Sequence, residues 1–136
     1  MNFHLTVAVS GRGLYDITHK VAEKVREPGI TDGLATVFIR HTSASLLIQE
    51  NADPSVRDDL GRWLDRLVPE GDALYTHTAE GPDDMPAHIK AALTAVSLSI
   101  PVVDGRLALG TWQAIYLWEH RRHRGRRDVI VNVMGA

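Results

Sequence analysis

The chain has 136 residues, of which 44% are hydrophobic and 24% charged, a length and composition typical of one soluble globular domain and unlike those of a disordered protein. Its formal net charge of −2 gives no general reason to expect nucleic acid or an anionic membrane as a partner, because both favour a basic surface. Cysteine is absent, which excludes disulfides and thiolate metal sites, so a transition-metal site would have to use histidine.

The N-terminal part of the chain predicts one strand and one helix. Apolar residues alternate over residues 3–10, as in a half-buried strand, and the GRG that follows turns the chain. In residues 15–29 the apolar positions have helical spacing, Asp16 is placed to cap the helix, and Pro28-Gly29 ends it. We find no leader sequence and no run of about 20 apolar residues, so we expect a cytoplasmic protein without a membrane partner.

The middle of the chain carries both strand and helix signals. Residues 34–39 and 44–48 are apolar on both faces, which predicts two strands, or one long bent strand, covered on both sides. Asp53 before Pro54 predicts the start of a second helix. Its apolar stripe consists of Val56, Leu60, Trp63, Leu64 and Leu67. A third helix is expected through HIKAALTA, with Pro86 in its first turn.

The C-terminal part predicts an antiparallel β region. Residues 97–103 and 106–109 form a predicted hairpin, because the Asp-Gly between them is a strong turn signal. Residues 112–119 and 128–134 predict a second hairpin, and its basic tip RRHRGRR is expected to be a solvated turn that blocks edge pairing. Together these elements predict an α+β fold: a single compact domain over residues 1–136, with about three helices and a largely antiparallel or mixed sheet.

Four sequence blocks resemble one known family. They are SLSIPVVDGRLALGTWQAI at residues 97–115, HTSASL at 41–46, ENADP at 50–54 and DDMPAHIKAAL at 83–93. In this order and spacing they resemble the YjbQ-like family of secondary thiamine-phosphate synthases. The resemblance implies a compact α+β fold, a homotrimer, a metal site made by histidines, and a low thiamine-phosphate synthase activity. That activity joins hydroxymethylpyrimidine diphosphate to a thiazole phosphate and releases pyrophosphate.

Three of the seven histidines are candidate metal ligands: His41, His77 and His88. Neutral imidazole suits zinc and similar ions, and three protein ligands with one open position is the usual catalytic pattern. We hypothesise that the Gly-Pro loop between His77 and His88 brings them together and that His41 joins them. The spacing by itself leaves ordinary surface or capping histidines as the alternative. The remaining four are predicted to be solvated: His4, His19, His120 and His123.

Four further positions are candidates for catalysis. Asp84, or Glu80 in its place, could orient a histidine or take magnesium carrying a diphosphate, although a helix start also favours carboxylates. Lys90 is a candidate phosphate contact or an ordinary solvated lysine. Gln113 and Glu119 share one strand face with apolar residues, where a buried polar side chain needs a metal, a substrate or an arginine such as Arg121 as partner.

Residues with hydroxyl, amide or glycine character near the same blocks are candidates for substrate binding. They could hold ring nitrogens or phosphate oxygens, or could equally be strand-edge, cap or bulge residues. The set is Thr42, Ser43, Ser45, Asn51, Gly110 and Thr111. The neighbouring Trp112 is expected to be a core or subunit-contact residue.

The sequence leaves three functions open. The first is a metal-dependent enzyme acting on a small phosphorylated heterocycle, and the second is a metal-assisted hydrolase of a small phosphorylated compound. The third is a trimeric binding protein without catalytic activity, whose histidines hold a structural metal. The expected cofactor is a divalent ion, zinc or similar at the histidines, with magnesium possible alongside a diphosphate substrate.

Overall fold

The fold is described by a computed structural model of residues 1–136. The strands and helices, in chain order, are β1 Asn2–Ser10, β2 Gly13–Asp16, α1 Thr18–Arg26, β3 Gly33–Ile39, β4 Ala44–Glu50, α2 Pro54–Leu67, α3 Asp84–Leu93, β5 Ser97–Val103, β6 Arg106–Leu107, β7 Gln113–Glu119 and β8 Arg124–Gly135. The strands form two antiparallel sheets, one with the order β1-β8-β3-β5-β6 and one with the order β2-β7-β4. This architecture confirms the predicted α+β class. None of the three helices has the length and apolar content needed to cross a membrane.

The main core lies between the two sheets and is closed by α1. Val37 of β3, Leu46 of β4 and Val21 of α1 belong to one cluster of 18 buried residues, and all three are fully buried. Along β7, Leu117 points into this core, while Trp118 points to the other face of the smaller sheet, where α2 and α3 pack. The smaller sheet is therefore the middle layer of three, and β7 is its most buried strand.

Local sequence signals account for β1, the three helices and the β5–β6 hairpin, which the structure confirms. Asp53 accepts a hydrogen bond of 2.9 Å from the backbone N–H two residues later and caps α2. Asp16 similarly accepts one of 2.9 Å from the N–H of Thr18, although it lies one position before the N-cap of α1. Asp104 and Gly105 both have positive φ, of 51° and 75°, as a tight hairpin turn requires.

The second predicted hairpin is wrong. β7 pairs with β2 and β4 in the smaller sheet, whereas β8 pairs with β1 and β3 in the larger one. The short strand β2, which the sequence analysis missed, occupies the edge of β7 that had been assigned to β8. Its four residues are too few to show an alternating pattern, so nothing local distinguished this edge strand from a turn.

Two burial predictions also fail. β3 is not covered on both sides, because Leu34 and Phe38 on its outer face are 42% and 44% exposed. On α2 only Leu64 of the predicted stripe is buried, and Trp63 and Leu67 are each 54% exposed. Apolar side chains thus remain uncovered on the outer face of the larger sheet and on the outer side of α2.

Two glycines should respond oppositely to the same substitution. A Cβ on Gly33 in β3 would lie 2.0 Å from the Met134 carbonyl oxygen, so Gly33→Ala should lower the free energy of unfolding by about 1–3 kcal/mol through overpacking. A Cβ on Gly61 in α2 would meet no atom within 4 Å apart from the neighbouring helix backbone, so Gly61→Ala should raise the free energy of unfolding by about 1 kcal/mol through helix propensity. Urea denaturation of both variants measures the two effects, and equal shifts would contradict the predicted backbone clash.

Candidate functional site

Two histidines and one aspartate converge at the start of α3. Asp84, in the first turn, is 2% exposed, and His88 lies one helical turn later on the same face. His77 comes from the loop before the helix. The Nε2 atoms of His77 and His88 lie 2.8 and 3.0 Å from the same Asp84 oxygen, Oδ2, and one possible ligand atom from each residue lies within 4.8 Å of the others. This arrangement suits a divalent metal ion, and we call these three residues the His-Asp cluster.

The orientation of His88 is fixed by the backbone of the HTSASL block. Its Nδ1 lies 3.0 Å from the carbonyl oxygen of Thr42. A carbonyl oxygen only accepts hydrogen bonds, so Nδ1 carries a proton and Nε2 is directed at Asp84. A backbone carbonyl that accepts from the second ring nitrogen in this way is a usual outer partner of a metal-binding histidine. Thr42 contributes its backbone carbonyl here, and substrate binding by its hydroxyl stays a prediction.

Asp84 is a carboxylate at neutral pH. Burial on its own would raise its pKa, but the hydrogen bond from His77 and the nearby charges of His88 and Arg121 outweigh burial and lower the pKa below its usual value. Arg121 Nη1 approaches the other carboxylate oxygen, Oδ1, at 3.3 Å. Oδ2 is thus free to face the two histidines.

Arg121 and Arg122 tie the loop before α3 to the end of β7. Arg121 donates to Asp83 at 3.1 Å and to the Glu80 carbonyl oxygen at 2.7 Å, and the backbone N–H of Arg122 donates to Asp83 at 2.9 Å. The Arg122 guanidinium also pairs with Glu70 at 2.6 Å. The prediction that RRHRGRR is a solvated turn is therefore wrong for Arg121, whose side chain is only 28% exposed, whereas the Arg122 side chain is exposed as predicted. Glu80 contributes its backbone carbonyl to the site.

His41 lies apart from the His-Asp cluster in this chain. Its Nε2 accepts the backbone N–H of Asp128 at 2.8 Å, and its Nδ1 lies 3.3 Å from Arg127 Nη1. Burial and the charge of Arg127 lower its pKa, so the ring is neutral at pH 7. The structure thus differs from the hypothesis of three histidines around one ion, because Asp84 takes the third position and both His41 nitrogens face other groups.

Glu119 and Arg127 form a buried ion pair. Glu119 is fully buried and Arg127 is 7% exposed, and two hydrogen bonds of 2.6 and 2.7 Å join their side chains. Arg127 also donates to the Ser43 hydroxyl at 3.0 Å. The arginine partner expected for a buried Glu119 is therefore present, but it is Arg127 and not Arg121. Both Glu119 and Ser43 therefore form buried contacts within the protein, and their predicted roles in catalysis and substrate binding stay predictions.

The GTWQ segment lies far from the His-Asp cluster within one chain. Gln113 pairs with Glu50 at one end of β4, whereas Glu119 pairs with Ala44 at the other, a separation of about 20 Å along the strands. Gln113 is exposed, and its Oε1 accepts the N–H of Gly110 at 2.8 Å, closing the turn.

Two more predicted substrate-binding residues pair with each other beside this turn. The Asn51 amide approaches the Thr111 carbonyl oxygen at 3.4 Å. Trp112 is 64% exposed, so it is not a core residue of the chain. Gln113, Gly110, Thr111 and Asn51 are thus assembled with one another, but not with the metal candidates.

Two polar groups are buried at a cleft beside α2: His120, which was predicted to be solvated, and Lys90, for which a phosphate contact and a solvated position were both left open. His120 is 2% exposed and Lys90 3% exposed, and the Ser45 hydroxyl lies 2.8 Å from His120 Nε2. Burial lowers the pKa of His120 to about 3, so its ring is neutral at pH 7. The only sequence signal for its burial was its position directly after the apolar strand β7.

Comparisons with known proteins agree on one family. The sequence model of the family described as UPF0047 protein YjbQ-like matches residues 3–136. The UPF0047 protein sll1880 of Synechocystis is 53% identical over 131 residues, covering 96% of this chain and 89% of the relative. YjbQ of Salmonella typhimurium is 46% identical over 132 residues, covering 96% and 95%. The crystal structure of a YjbQ/UPF0047 family protein from Clostridium acetobutylicum superposes with a TM-score of 0.89 at 40% identity, covering 97% of this chain and 99% of that protein.

The neutral His120 should make stability depend on pH. Its folded pKa of about 3 lies below the ordinary value of 6.5, so the unfolded chain takes up a proton that the folded chain excludes. The stabilisation is complete above pH 6.5 and is lost as the pH falls towards 3, at up to about 1.4 kcal/mol per pH unit. We expect urea denaturation at pH 7, 6 and 5 to show a shallower pH slope for His120→Gln than for the wild type. The exposed His19 provides the control His19→Gln, and a slope unchanged in His120→Gln would contradict the assignment.

Proposed function

The chain belongs to the UPF0047 YjbQ-like family, and from this premise we propose that it is a metal-dependent enzyme acting on a small phosphorylated heterocycle, with thiamine-phosphate synthesis as its reaction. The reaction comes from the family resemblance of the sequence blocks. The observation that carries the metal site is the convergence of two imidazole nitrogens on one buried carboxylate oxygen. The cytoplasmic location predicted from the sequence is part of the same proposal.

The dimensions of the His-Asp cluster suit a small divalent ion. In a tetrahedral zinc site with bonds of about 2.0–2.1 Å, neighbouring ligand atoms lie about 3.3–3.4 Å apart. The two observed nitrogen–oxygen distances of 2.8 and 3.0 Å therefore need to open by only about half an ångström. Two imidazoles and one carboxylate form a donor set that zinc and related ions accept.

The protonation of His88 also supports a cation at this point. Because its Nδ1–H donates to Thr42, a neutral His88 would direct the Nε2 lone pair at the Asp84 carboxylate, which is repulsive. A positive charge, either a second proton or a metal ion, removes this repulsion. Asp84 then acts as the shared anionic group of the cluster.

The exposure of the cluster favours a reactive site over a purely structural one. The His77 side chain is 48% exposed, so one side of the cluster opens to solvent. Structural zinc sites are closed by four protein ligands, whereas catalytic sites keep one position for water or substrate. A divalent ion bound here would supply electrostatic stabilisation to a leaving diphosphate. The chain itself orients Asp84 through Arg121 and holds the His88 ring through Thr42.

Loss of one ligand should abolish both metal binding and turnover. We expect tag-free wild-type protein, purified without chelator, to contain about one transition-metal ion per chain by elemental analysis. Asp84→Asn and His88→Ala each remove a proposed ligand and should weaken metal binding by at least about 100-fold, because the loss of an outer-shell partner alone costs about 10–100-fold. Both should lose thiamine-phosphate formation from the two phosphorylated precursors. His19→Ala, which removes an exposed histidine from α1, is the matched control.

The outcomes separate the three functions. Metal-free wild-type protein would overturn the ligand roles of His77, Asp84 and His88. Bound metal with phosphate release from a single precursor would favour the hydrolase. A metal whose loss in His88→Ala lowers the melting temperature, with no activity in the wild type, would indicate a structural site.

We further propose the homotrimer that the family resemblance implies, with the outer face of the larger sheet as its contact. β3 is the central strand of that sheet, and its Leu34 and Phe38 are exposed together with the paired Met134 of β8. A central strand with apolar side chains on an uncovered face suits burial against another copy of the chain.

The assembly can be tested by light scattering after gel filtration. The wild type should have about three times the 15.0 kDa mass of the chain. Phe38→Asp should shift the mass towards that of one chain, because the contact would bury an unpaired charge. Leu74→Asp, at a side chain that is 82% exposed, should leave the mass unchanged. A wild-type monomer would refute the trimer, and a Phe38→Asp trimer would refute the proposed contact.

A further inference from the structure

The cleft beside α2, which contains Lys90 and His120, lies between α2 and the smaller sheet and next to α3. Its volume is about 540 Å³, within the usual range for small-molecule sites. Lys90 of α3 and His120 line it, whereas none of the three residues of the His-Asp cluster does. Lys90 follows His88 by two residues, which places the two side chains about 200° apart around α3. The cleft and the His-Asp cluster therefore lie on different sides of the same helix.

The lining of the cleft is rich in positive charge. Its cationic residues are Arg12, Arg57, Arg62 and Lys90, and its carboxylates are Asp58, Asp65 and Glu119. Glu119 is neutralised by Arg127 and Arg62 pairs with Asp59, both outside the lining. The remaining groups are three cations and two carboxylates, so the cleft keeps one positive charge in excess.

The cations of the cleft are incompletely paired. Arg57 has no carboxylate partner, and it donates only to the neutral Tyr116 hydroxyl at 3.1 Å. Arg12 reaches two carboxylates only at long distances, Asp65 at 3.5 Å and Glu70 at 3.9 Å, and Glu70 is held more closely by Arg122 at 2.6 Å. Lys90 is 97% buried and has Asp65 as its one carboxylate partner, at 2.5 Å. Burying an ammonium group costs free energy that one partner only partly offsets, so an additional anion in the cleft would stabilise it.

His120 adds a ring nitrogen, Nδ1, that is available to a ligand in the cleft. Ser45 occupies its Nε2, while its Nδ1 has no hydrogen-bond partner within the chain, although the residue is 98% buried and lines the cleft. When the Ser45 hydroxyl donates to Nε2, the neutral ring carries its proton on Nδ1. Nδ1–H then donates to whatever occupies the cleft, and an anionic oxygen is the acceptor that suits it.

The rest of the lining is apolar and suits the organic part of a ligand. Leu14, Leu64 and Trp118 form one wall, and the Trp118 ring lies 5.3 Å from the His120 ring between centroids. A ligand that fills the cleft thus combines a compact oxyanion with a small ring or hydrocarbon portion.

We propose that this cleft is a binding site for a phosphorylated small molecule, with its phosphate held by Arg57, Lys90 and His120. Arg12 lies at the margin and contributes charge, and the organic portion packs on Trp118. The site stands on the cleft alone and does not depend on a metal in the His-Asp cluster. If the proposed function is also correct, the cleft supplies that enzyme with a separate site for one of its two phosphorylated substrates.

Calorimetric titration of metal-free protein with inorganic phosphate and with pyrophosphate tests this inference at low ionic strength. Both anions should bind, and acetate should bind more weakly because its single charge gains less from the cations. Arg57→Gln and Lys90→Met should each weaken binding of phosphate by at least about tenfold. Arg66→Gln, which removes the same charge from the same helix outside the cleft, should leave binding unchanged.

The position of the anion gives a second readout that does not depend on a variant folding. Amide NMR signals of residues 12–14 and 118–120 should shift on phosphate addition in the wild type. No phosphate binding, binding that survives both Arg57→Gln and Lys90→Met, or equal loss in Arg66→Gln would each overturn the proposal. Amide shifts confined to residues 77–88 would place the anion at the His-Asp cluster and overturn the cleft. If metal binding fails while phosphate still binds in the cleft, the proposed function fails and this inference stands.

Discussion

The buried ion pair between Glu119 and Arg127 is the interaction on which the arrangement of the sites depends. Glu119 ends β7 in the smaller sheet and Arg127 lies in β8 of the larger one, so their two hydrogen bonds join the layers where the chain passes between them. Burying two charges costs free energy, and such a pair is tolerated when its polar atoms are satisfied. Here Ser43 binds Arg127, and the backbone N–H of Arg121 donates to Glu119, which completes the pairing.

The two residues that follow Glu119 extend this anchor to two chemically different places. His120 lines the cationic cleft with Lys90, whereas Arg121 binds Asp83 and the Asp84 carboxylate. The chain leaves β7 after Glu119 and bends at Arg121, and the two side chains reach different groups on either side of that bend. The residues after β7 therefore supply the neutral His120 ring to one side of α3 and the Arg121 cation to the other. The ion pair fixes the backbone at Glu119, directly before these two residues.

The elements that the sequence predicted are those whose signals are local. The alternation of β1, the Asp53-Pro54 start of α2 and the Asp104-Gly105 turn each depend on residues close together in the chain. The partner of β7 is not a local property. Adjacent apolar strands suggested a hairpin, but β8 pairs with β1 and β3 in the other sheet. Arg127, assigned to the hairpin tip, instead lies within β8 and forms a buried ion pair with Glu119.

The same limit applies to the sites. Histidine counting found His77 and His88, which share one short stretch of chain, and Asp84 was recognised as a possible partner. The sequence could not exclude His41 from the metal site. The two groups that contact its ring nitrogens, Arg127 and the Asp128 N–H, lie more than 80 residues away in the chain. His120 was missed for a similar reason, since its burial depends on α2 and α3 packing over the smaller sheet.

Small side chains on α3 set the relation between the His-Asp cluster and the cleft. Ala87 is fully buried and Ala91 is 6% exposed, and they lie on the part of the helix surface between the two sites. Side chains of this size let a helix approach a sheet closely, and α3 packs against β4, whose first residues are the last three of the HTSASL block. The Thr42 carbonyl that orients His88 and the Ser45 hydroxyl that binds His120 come from that same segment. A shift of α3 relative to β4 would thus disturb both sites together, which makes this contact the physical link between them.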